Sequence, residues 1–359
     1  MTFTFGSEFK IHVYGESHGE EIGVVVEGVP PGTLVDKLTI QQYLNRRQPG
    51  LGPLVSSRVE KDRVSIRSGI FNGKSTGGPI SMSISNEDID SSSYEEIRNT
   101  PRPSHADYTA RIKYHGYNDY RGGGFFSGRM TAAFVMAGAL AIQILLKHRI
   151  QIMTHVIQIG KIRAKREISI LEIENNVYTN PVRCADLKLV SKMETEISAA
   201  KDDRDSVGGV IECRILGVPI GLGEPLFDSI ESVISHAMFS IPGVKGIEFG
   251  SGFEGSSRRG SENNDSPIIV DGNIAWSKND AGGILGGISN GAPIIFRVAI
   301  KPTASIAKRQ HTINLDEMKD TSIEIGGRHD PCIVPRAVPV VECMTAAVIV
   351  DLLKRCRLD

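Results

Sequence analysis

A run of seventeen residues without a charge, Met130 to Leu146 (MTAAFVMAGALAIQILL), constrains this chain more than any other stretch. It must leave water, either as a membrane span or as the central helix of a folded core. It falls slightly short of a span, contains Gln143, and is bounded by Arg129 and Lys147. A helix apolar all round is what a buried core helix looks like, so we expect one over about 129–148. A second is expected over about 336–356 (RAVPVVECMTAAVIVDLLKRC), with Pro335 or Pro339 tolerated near its first turn. Each follows a glycine- and arginine-rich loop. That hints at two similar halves, but the match between them is too weak to establish a repeat.

The 359 residues, 40% of them hydrophobic, suffice for one large domain or two ordinary ones. Ile22–Val29, Ile80–Ser85, Gly208–Ile215 and Ile294–Ile300 read as strands. Thr39 with Gln42 reads as a capping box opening a short helix toward Arg46 and Arg47. The charge-rich stretch 161–204 reads as a solvated periphery. Lys+Arg (41) and Asp+Glu (42) nearly cancel, which argues against general nucleic-acid binding. Five cysteines at 184, 213, 332, 343 and 356 form no CxxC pair, so reduced thiols of a cytoplasmic protein are expected. The N-terminal MTFTFGSEFK lacks a basic start followed by an apolar run, so no signal peptide is expected. Scattered histidines and the lack of an HExxH or acidic cluster argue against a metal site, and no membrane partner is expected.

Several short stretches carry groups suited to chemistry. His18, in YGESHGEEIG, sits among small residues after a strand. It reads either as a surface-turn histidine or as a group that gives and takes a proton. In RPSHADYTA, Arg102 suits a phosphate or carboxylate, and Asp107 is placed to orient His105. An Asp/Ser turn is the plainer alternative. Arg46 and Arg47 read as anion ligands or as cations complementing a helix dipole. Lys301, Thr303 and Ser305 offer a cation and two hydroxyls for a terminal phosphate. The glycine-rich 279–291 lets backbone approach a flat ligand, or is simply a hairpin. In GGRHDPC, Arg328 stands beside Asp330, which is then a base or an ion-pair partner.

Taken in order, these stretches resemble the chorismate synthase family. The likeness rests on GESHG (15–19), RRQPG (46–50), RPSHADYT (102–109), DYRGGG (119–124), SGR (127–129), DSVGG (205–209) and VKGIEFGSGF (244–253). It continues through GSENND (260–265), DAGGILGGISNG (280–291), KPT (301–303) and GRHDP (327–331). The resemblance implies an α+β fold, a βαβα sandwich with an internal pseudo-twofold, as a single domain over 1–359 and a homotetramer. It implies a lyase of aromatic amino acid biosynthesis. Such an enzyme removes phosphate from 5-enolpyruvylshikimate 3-phosphate by 1,4-elimination, with reduced FMN, at the last step of the shikimate pathway. The flavin is reduced either by the protein with NADPH or by an outside source.

By the same resemblance, His18, His105 and Asp330 are the catalytic groups, with Asp330 working at the substrate proton. Arg46, Arg47, Arg102, Arg129 and Arg328 would hold the phosphorylated substrate. Phe125, Phe126, Ser127, Gly243, Gly286, Lys301, Pro302, Thr303, Ala304, Ser305 and Arg328 would hold the cofactor. The sequence departs from the family at two places: Phe125 stands where an arginine is usual, and Pro53 near a usual basic residue. Each lost cation forgoes a charge-assisted bond, roughly 1.5–3 kcal/mol. Two alternatives follow: a flavin-dependent oxidoreductase on the same scaffold, and a non-catalytic phospho-ligand binder.

Overall fold

The computed structural model describes residues 3–48, 61–87, 91, 94–164, 167–326 and 329–357. The first half contains β1 (Thr4–Phe5), β2 (Lys10–Gly15), β3 (Glu21–Glu27), α1 (Lys37–Arg47), β4 (Ser65–Ile66), β5 (Ile70–Phe71), β6 (Lys74–Ser75) and β7 (Ile80–Ser85). Helices α2 (Asp107–Lys113) and α3 (Thr131–Lys147) follow. The second half opens with β8 (Gln151–Ile159), β9 (Ile162–Arg163), α4 (Ile170–Asn176), α5 (Leu187–Asp202), β10 (Gly209–Leu216), α6 (Ile230–Phe239) and β11 (Val244–Phe249). Two short helices, α7 (Gly252–Gly255) and α8 (Gly260–Asn263), lead to the hairpins β12 (Pro267–Val270) with β13 (Asn273–Trp276) and β14 (Ile284–Leu285) with β15 (Ile288–Ser289). Then come β16 (Ile294–Ile300), β17 (Gln310–Asn314), β18 (Lys319–Ile323) and α9 (Val334–Arg355).

Two five-stranded antiparallel sheets form, in the orders β1-β2-β3-β7-β4 and β11-β16-β10-β8-β9. Period-two alternation decides their inner faces. Ile22, Val24 and Val26 of β3 and Ile80, Met82 and Ile84 of β7 are buried, and so are the even-numbered residues of β16. The sheets share a plan. Strands β2-β3-β7-β4 correspond to β8-β10-β16-β11, each set placing its first, second, fourth and third strands side by side. In each half one helix (α1 or α6) falls between the second and third strands, and a long apolar helix (α3 or α9) follows the fourth. This ββαββα repeat is the internal pseudo-twofold of an α+β fold. Along the chain, sheet and long helix alternate as β-α-β-α; in space the helices fill the layer between the sheets.

The charge-free run forms α3, as its composition requires, packed on α9 and the first sheet. A Cβ on Gly138 would lie 2.2 Å from the carbonyl oxygen of Cys343, so the two helices touch at backbone distance there. One contiguous apolar core runs through both halves.

Two expectations are corrected. The N-cap of α1 is Asp36, whose carboxylate accepts from the amides of Leu38 and Thr39; Thr39 instead donates its hydroxyl to Asp36. The stretch 161–204 is no mere periphery. Ile168, Ile173, Val177, Met193 and Ile197 are buried in the main core.

Candidate active site

A cleft of about 300 Å³ lies where α3 and α9 begin. Its wall takes Arg47 from the end of α1, Arg129 from the entry to α3, Ile241–Gly243 from the turn after α6, Lys301–Ser305 from the turn after β16, and Arg336 from α9. The pseudo-twofold thus delivers two loop–helix junctions to one place.

The stretch RGGGFFSGRM bends through Gly122, Gly123 and Gly124, at φ 59°, 82° and 54°. These left-handed conformations need glycine. Two histidines exploit the missing side chains. A Cβ on Gly122 would sit 2.3 Å from His18 Cδ2, and one on Gly123 would sit 3.2 Å from His105 Cε1. Consecutive glycines therefore seat the two imidazoles against one loop. His18 is buried; its Nδ1 is 2.8 Å from Ser91 Oγ and its ring meets Tyr94 edge-on at 5.1 Å. It adjoins the cleft through Gly122.

Arg102, His105 and Asp107 form one unit. Arg102 donates Nε and Nη2 to the two Asp107 oxygens, each at 2.7 Å, and Nη1 to Ser305 Oγ at 3.0 Å. His105 Nδ1 lies 2.6 Å from Asp107 Oδ1. Burial alone would raise the Asp107 carboxyl, but the hydrogen bonds from Arg102 and His105 outweigh it and hold the group well below the usual range. Burial lowers His105, against the opposing pull of Asp107, which favours the neutral imidazole at pH 7. Asp107 opens α2 and is the clamp on Arg102, whose backbone amide also donates to it at 3.0 Å.

Deeper in the cleft, Asp62 receives Arg129 Nη1 at 2.6 Å and Arg47 Nη2 at 3.4 Å, and Arg129 Nε also donates to Asn86 Oδ1 at 2.9 Å. Lys301 Nζ donates to the Ser104 carbonyl at 2.9 Å; burial and the charge of Lys245 lower its ammonium. Asp330 pairs with Arg336, and its carbonyl accepts from Thr303 Oγ1 at 3.2 Å. The same cleft is also lined by apolar groups, Ile241, Pro242, Phe126, Ile333 and Val340.

The cleft thus gathers His105, Asp330, Arg47, Arg102, Arg129, Phe126, Ser127, Gly243 and the whole segment Lys301, Pro302, Thr303, Ala304 and Ser305, with His18 beside it. Arg328 and Pro53 lie outside the described residues. Three expected residues go elsewhere. Arg46 leaves α1 on the other side, over the rings of Tyr178 (4.0 Å) and Tyr43 (4.5 Å), in a separate cavity of about 310 Å³. Phe125 packs with Phe3, Tyr114 and Phe126, its ring centroid 5.4, 5.2 and 4.7 Å from theirs, so it serves the fold rather than the cleft wall. Gly286 is exposed in the β14–β15 turn. That hairpin adjoins the start of α6, where Gly287 O accepts from the Ile230 amide, whereas Ile241–Gly243 line the cleft beyond the helix's other end. A ten-residue helix separates them by roughly 15 Å.

The cleft wall also takes Asp62, Tyr94 and Arg336, which the sequence did not single out, and His329 of the GGRHDPC stretch, which it did. Arg336 had a readable signal: a cation in the first turn of a helix opposes the helix dipole and so needs another partner. A depression of about 1390 Å³ elsewhere, on the outer face of the second sheet, is larger than the cleft. Its Glu212, Arg214, Glu248 and Arg297 are spent on one another in ion pairs.

Among the described residues, Arg47, Arg102, Arg129, Lys301 and Arg336 bring five cations to the cleft, against Asp62 and Asp330 on its wall and Asp107 behind Arg102. An excess of positive charge, two seated imidazoles and a carboxylate define an enzyme that acts on a small, multiply charged anion.

The comparisons with known proteins give that class its family. A family model described as chorismate synthase matches residues 9–353. A chorismate synthase of Korarchaeum cryptofilum is 52% identical over 351 residues, covering 98% of this chain and 97% of its own. One of Methanosarcina mazei is 51% identical over 347 residues (97% and 94%), and one of Dehalococcoides mccartyi 48% over 355 (99% and 97%). A crystal structure of chorismate synthase superposes with a TM-score of 0.78 at 29% identity, over 98% of this chain and 93% of that one. The chain belongs to the chorismate synthase family. Its activity is that of a carbon–oxygen lyase, which eliminates phosphate from 5-enolpyruvylshikimate 3-phosphate to give chorismate in the shikimate pathway. This does not favour the oxidoreductase alternative.

Proposed function

We propose that the cleft binds reduced FMN and the phosphorylated substrate together, and that His18, His105 and Asp330 are the groups that act during elimination. The observation carrying this reading is the seating of His18 and His105 on Gly122 and Gly123 beside an arginine-rich cleft that also holds Asp330. The donor set suits a flavin mononucleotide. One wall is apolar enough for a flat ring, and Lys301 with the Thr303 and Ser305 hydroxyls suits a phosphate tail. Ser305 accepts from Arg102 and so keeps its own proton to donate. Gly243, at φ 93°, turns the backbone along the wall of the same cleft.

Reduced flavin, when bound, supplies electron density to the substrate as phosphate leaves and recovers it afterwards. The chain's own residues do the rest. Arg47, Arg102, Arg129 and Arg328 orient the phosphate and carboxylates of the substrate. Asp62 and Asp107 hold the first three of those side chains in place. His18 gives a proton to the departing phosphate. Asp330 takes the proton that the substrate loses. His105, kept neutral by burial and aligned by Asp107, offers its remaining ring nitrogen to the flavin.

The same reading covers the whole chain as one domain, in a cytoplasmic homotetramer. The main apolar core, which runs through both halves, supports the first point. The exposed isoleucines of the β12–β13 hairpin, Ile269 at 72% and Ile274 at 70%, support self-association. The test is anaerobic turnover of the phosphorylated substrate with chemically reduced FMN, run beside oxidised FMN with NADPH. Phosphate release in the first arm supports FMN as cofactor, and release in the second assigns NADPH as reductant. No release with reduced FMN, but release with another reduced flavin, would overturn the choice of FMN.

A further inference from the structure

Arg336 is the third residue of α9, where the dipole of a 22-residue helix disfavours a cation. Its guanidinium is nonetheless held on the cleft wall by two other elements. Nη1 donates to Asp330 Oδ2, and Nε donates to the carbonyl oxygen of Arg47, the last residue of α1, at 3.2 Å. One side chain therefore ties the start of α9 to the end of α1 and to the loop that carries the proposed base. On the far side of that loop, Thr303 holds the Asp330 carbonyl. The backbone of Asp330 is thus fixed from the flavin-phosphate segment, and its carboxylate from α9.

We propose that Arg336 is a positioning residue: its rigid fork of donors aims the Asp330 carboxylate at the proton the substrate must lose. The inference rests on the reading of Asp330 given under Proposed function. In that step the C–H bond breaks, the proton passes to Asp330, its electron pair enters the ring's conjugated system, and phosphate departs with the C–O pair. No net oxidation occurs. Arg336 exchanges no proton and touches no reacting atom. Its planar geometry is what matters, and a lysine ammonium lacks it.

The test compares wild type, Arg336→Ala, Arg336→Lys, Asp330→Asn and the double variant Arg336→Ala/Asp330→Asn. Readouts are kcat with reduced FMN, substrate Kd, and the primary isotope effect with substrate deuterated at the departing proton. Misaiming a base by about 1 Å costs roughly 10²-fold in rate, so Arg336→Ala should lose about that much kcat. Its substrate Kd should stay unchanged and its isotope effect should rise. Arg336→Lys, the milder change and the safeguard against misfolding, should fall between. The decisive arm is the double variant, which should be no slower than Asp330→Asn alone. Losses that multiply, or a raised Kd with kcat intact, would overturn the proposal and make Arg336 a structural or substrate-binding group. A wild type that releases no phosphate would overturn the underlying function instead.

Discussion

Arg46 and Arg47 are neighbours in the chain and face opposite sides of α1. Arg47 is buried with its Nη2 on Asp62 in the cleft, while Arg46 stacks on Tyr178 beside the buried carboxyl of Glu342. The helix end thus divides one pair of cations between the cleft and an aromatic packing site. Arg47→Met should raise the substrate KM. Arg46→Met should leave KM unchanged but lower stability by about 1–2 kcal/mol, the range of a shielded cation–π contact. Steady-state kinetics with thermal melts of both variants checks this, and a raised KM for Arg46→Met would contradict it.

Gly122 permits His18 its place. Gly122→Ala puts a methyl within 2.3 Å of the imidazole at a φ of 59°, so it should displace the histidine. Turnover should then fall toward that of His18→Ala, which we expect to be slowed roughly 10²–10⁴-fold. A Gly122→Ala enzyme with wild-type kcat would show that the seating does not matter.

Phe125 occupies a position where the family usually carries an arginine, but its ring belongs to an aromatic cluster with Phe3 and Tyr114. Phe125→Arg should therefore keep substantial turnover and lose about 2 kcal/mol of stability, as expected for a half-buried aromatic ring. The pairing of kcat with a denaturation midpoint measures both. A stable, inactive variant would contradict the assignment.

Glu212 sets a pH dependence of stability away from the cleft. Burial alone would raise its carboxyl, but the hydrogen bond with His155 and the charges of Arg214 and Arg297 bring it down to about 2, from 4.5. Its folded value is depressed, so the folded state binds fewer protons than the unfolded one in this window. The contribution is complete above pH 4.5 and is lost as pH falls toward 2. At pH 7, Glu212→Gln should cost about 3–5 kcal/mol, because it breaks a buried ion-pair cluster. That gap should narrow steadily below pH 4.5 in denaturant titrations. An equal gap at pH 7 and pH 3 would contradict the sign.

Much of this was legible in the residues. The strands Ile80–Ser85 and Ile294–Ile300 form as their alternation requires, and the charge-free run forms α3 because nothing else could bury it. The motifs named His18, His105, Asp330 and the segment 301–305 before the fold showed them together. What stayed hidden is directional. Spacing alone does not say that Arg46 and Arg47 diverge, since that depends on which face of α1 meets Tyr178. The glycine run reads in the sequence only as part of a family motif, and its three left-handed residues reveal it as a seat for imidazoles. The pseudo-twofold is a matter of strand order, which unequal insertions between strands conceal. Arg336 reads as the start of an apolar helix; its place against the dipole signals that it needs a partner, but which one, Asp330 and the Arg47 carbonyl, is set by the folded chain.

Flavin and substrate are proposed to share one cleft, with chemistry that has no net redox change. A single anaerobic turnover in stopped flow tests this, reading flavin absorbance while phosphate and chorismate are counted. One phosphate per chorismate is expected, with a transient flavin signal that requires substrate and flavin fully reduced at the end. Flavin left oxidised in proportion to product, or a flavin spectrum indifferent to substrate, would contradict it.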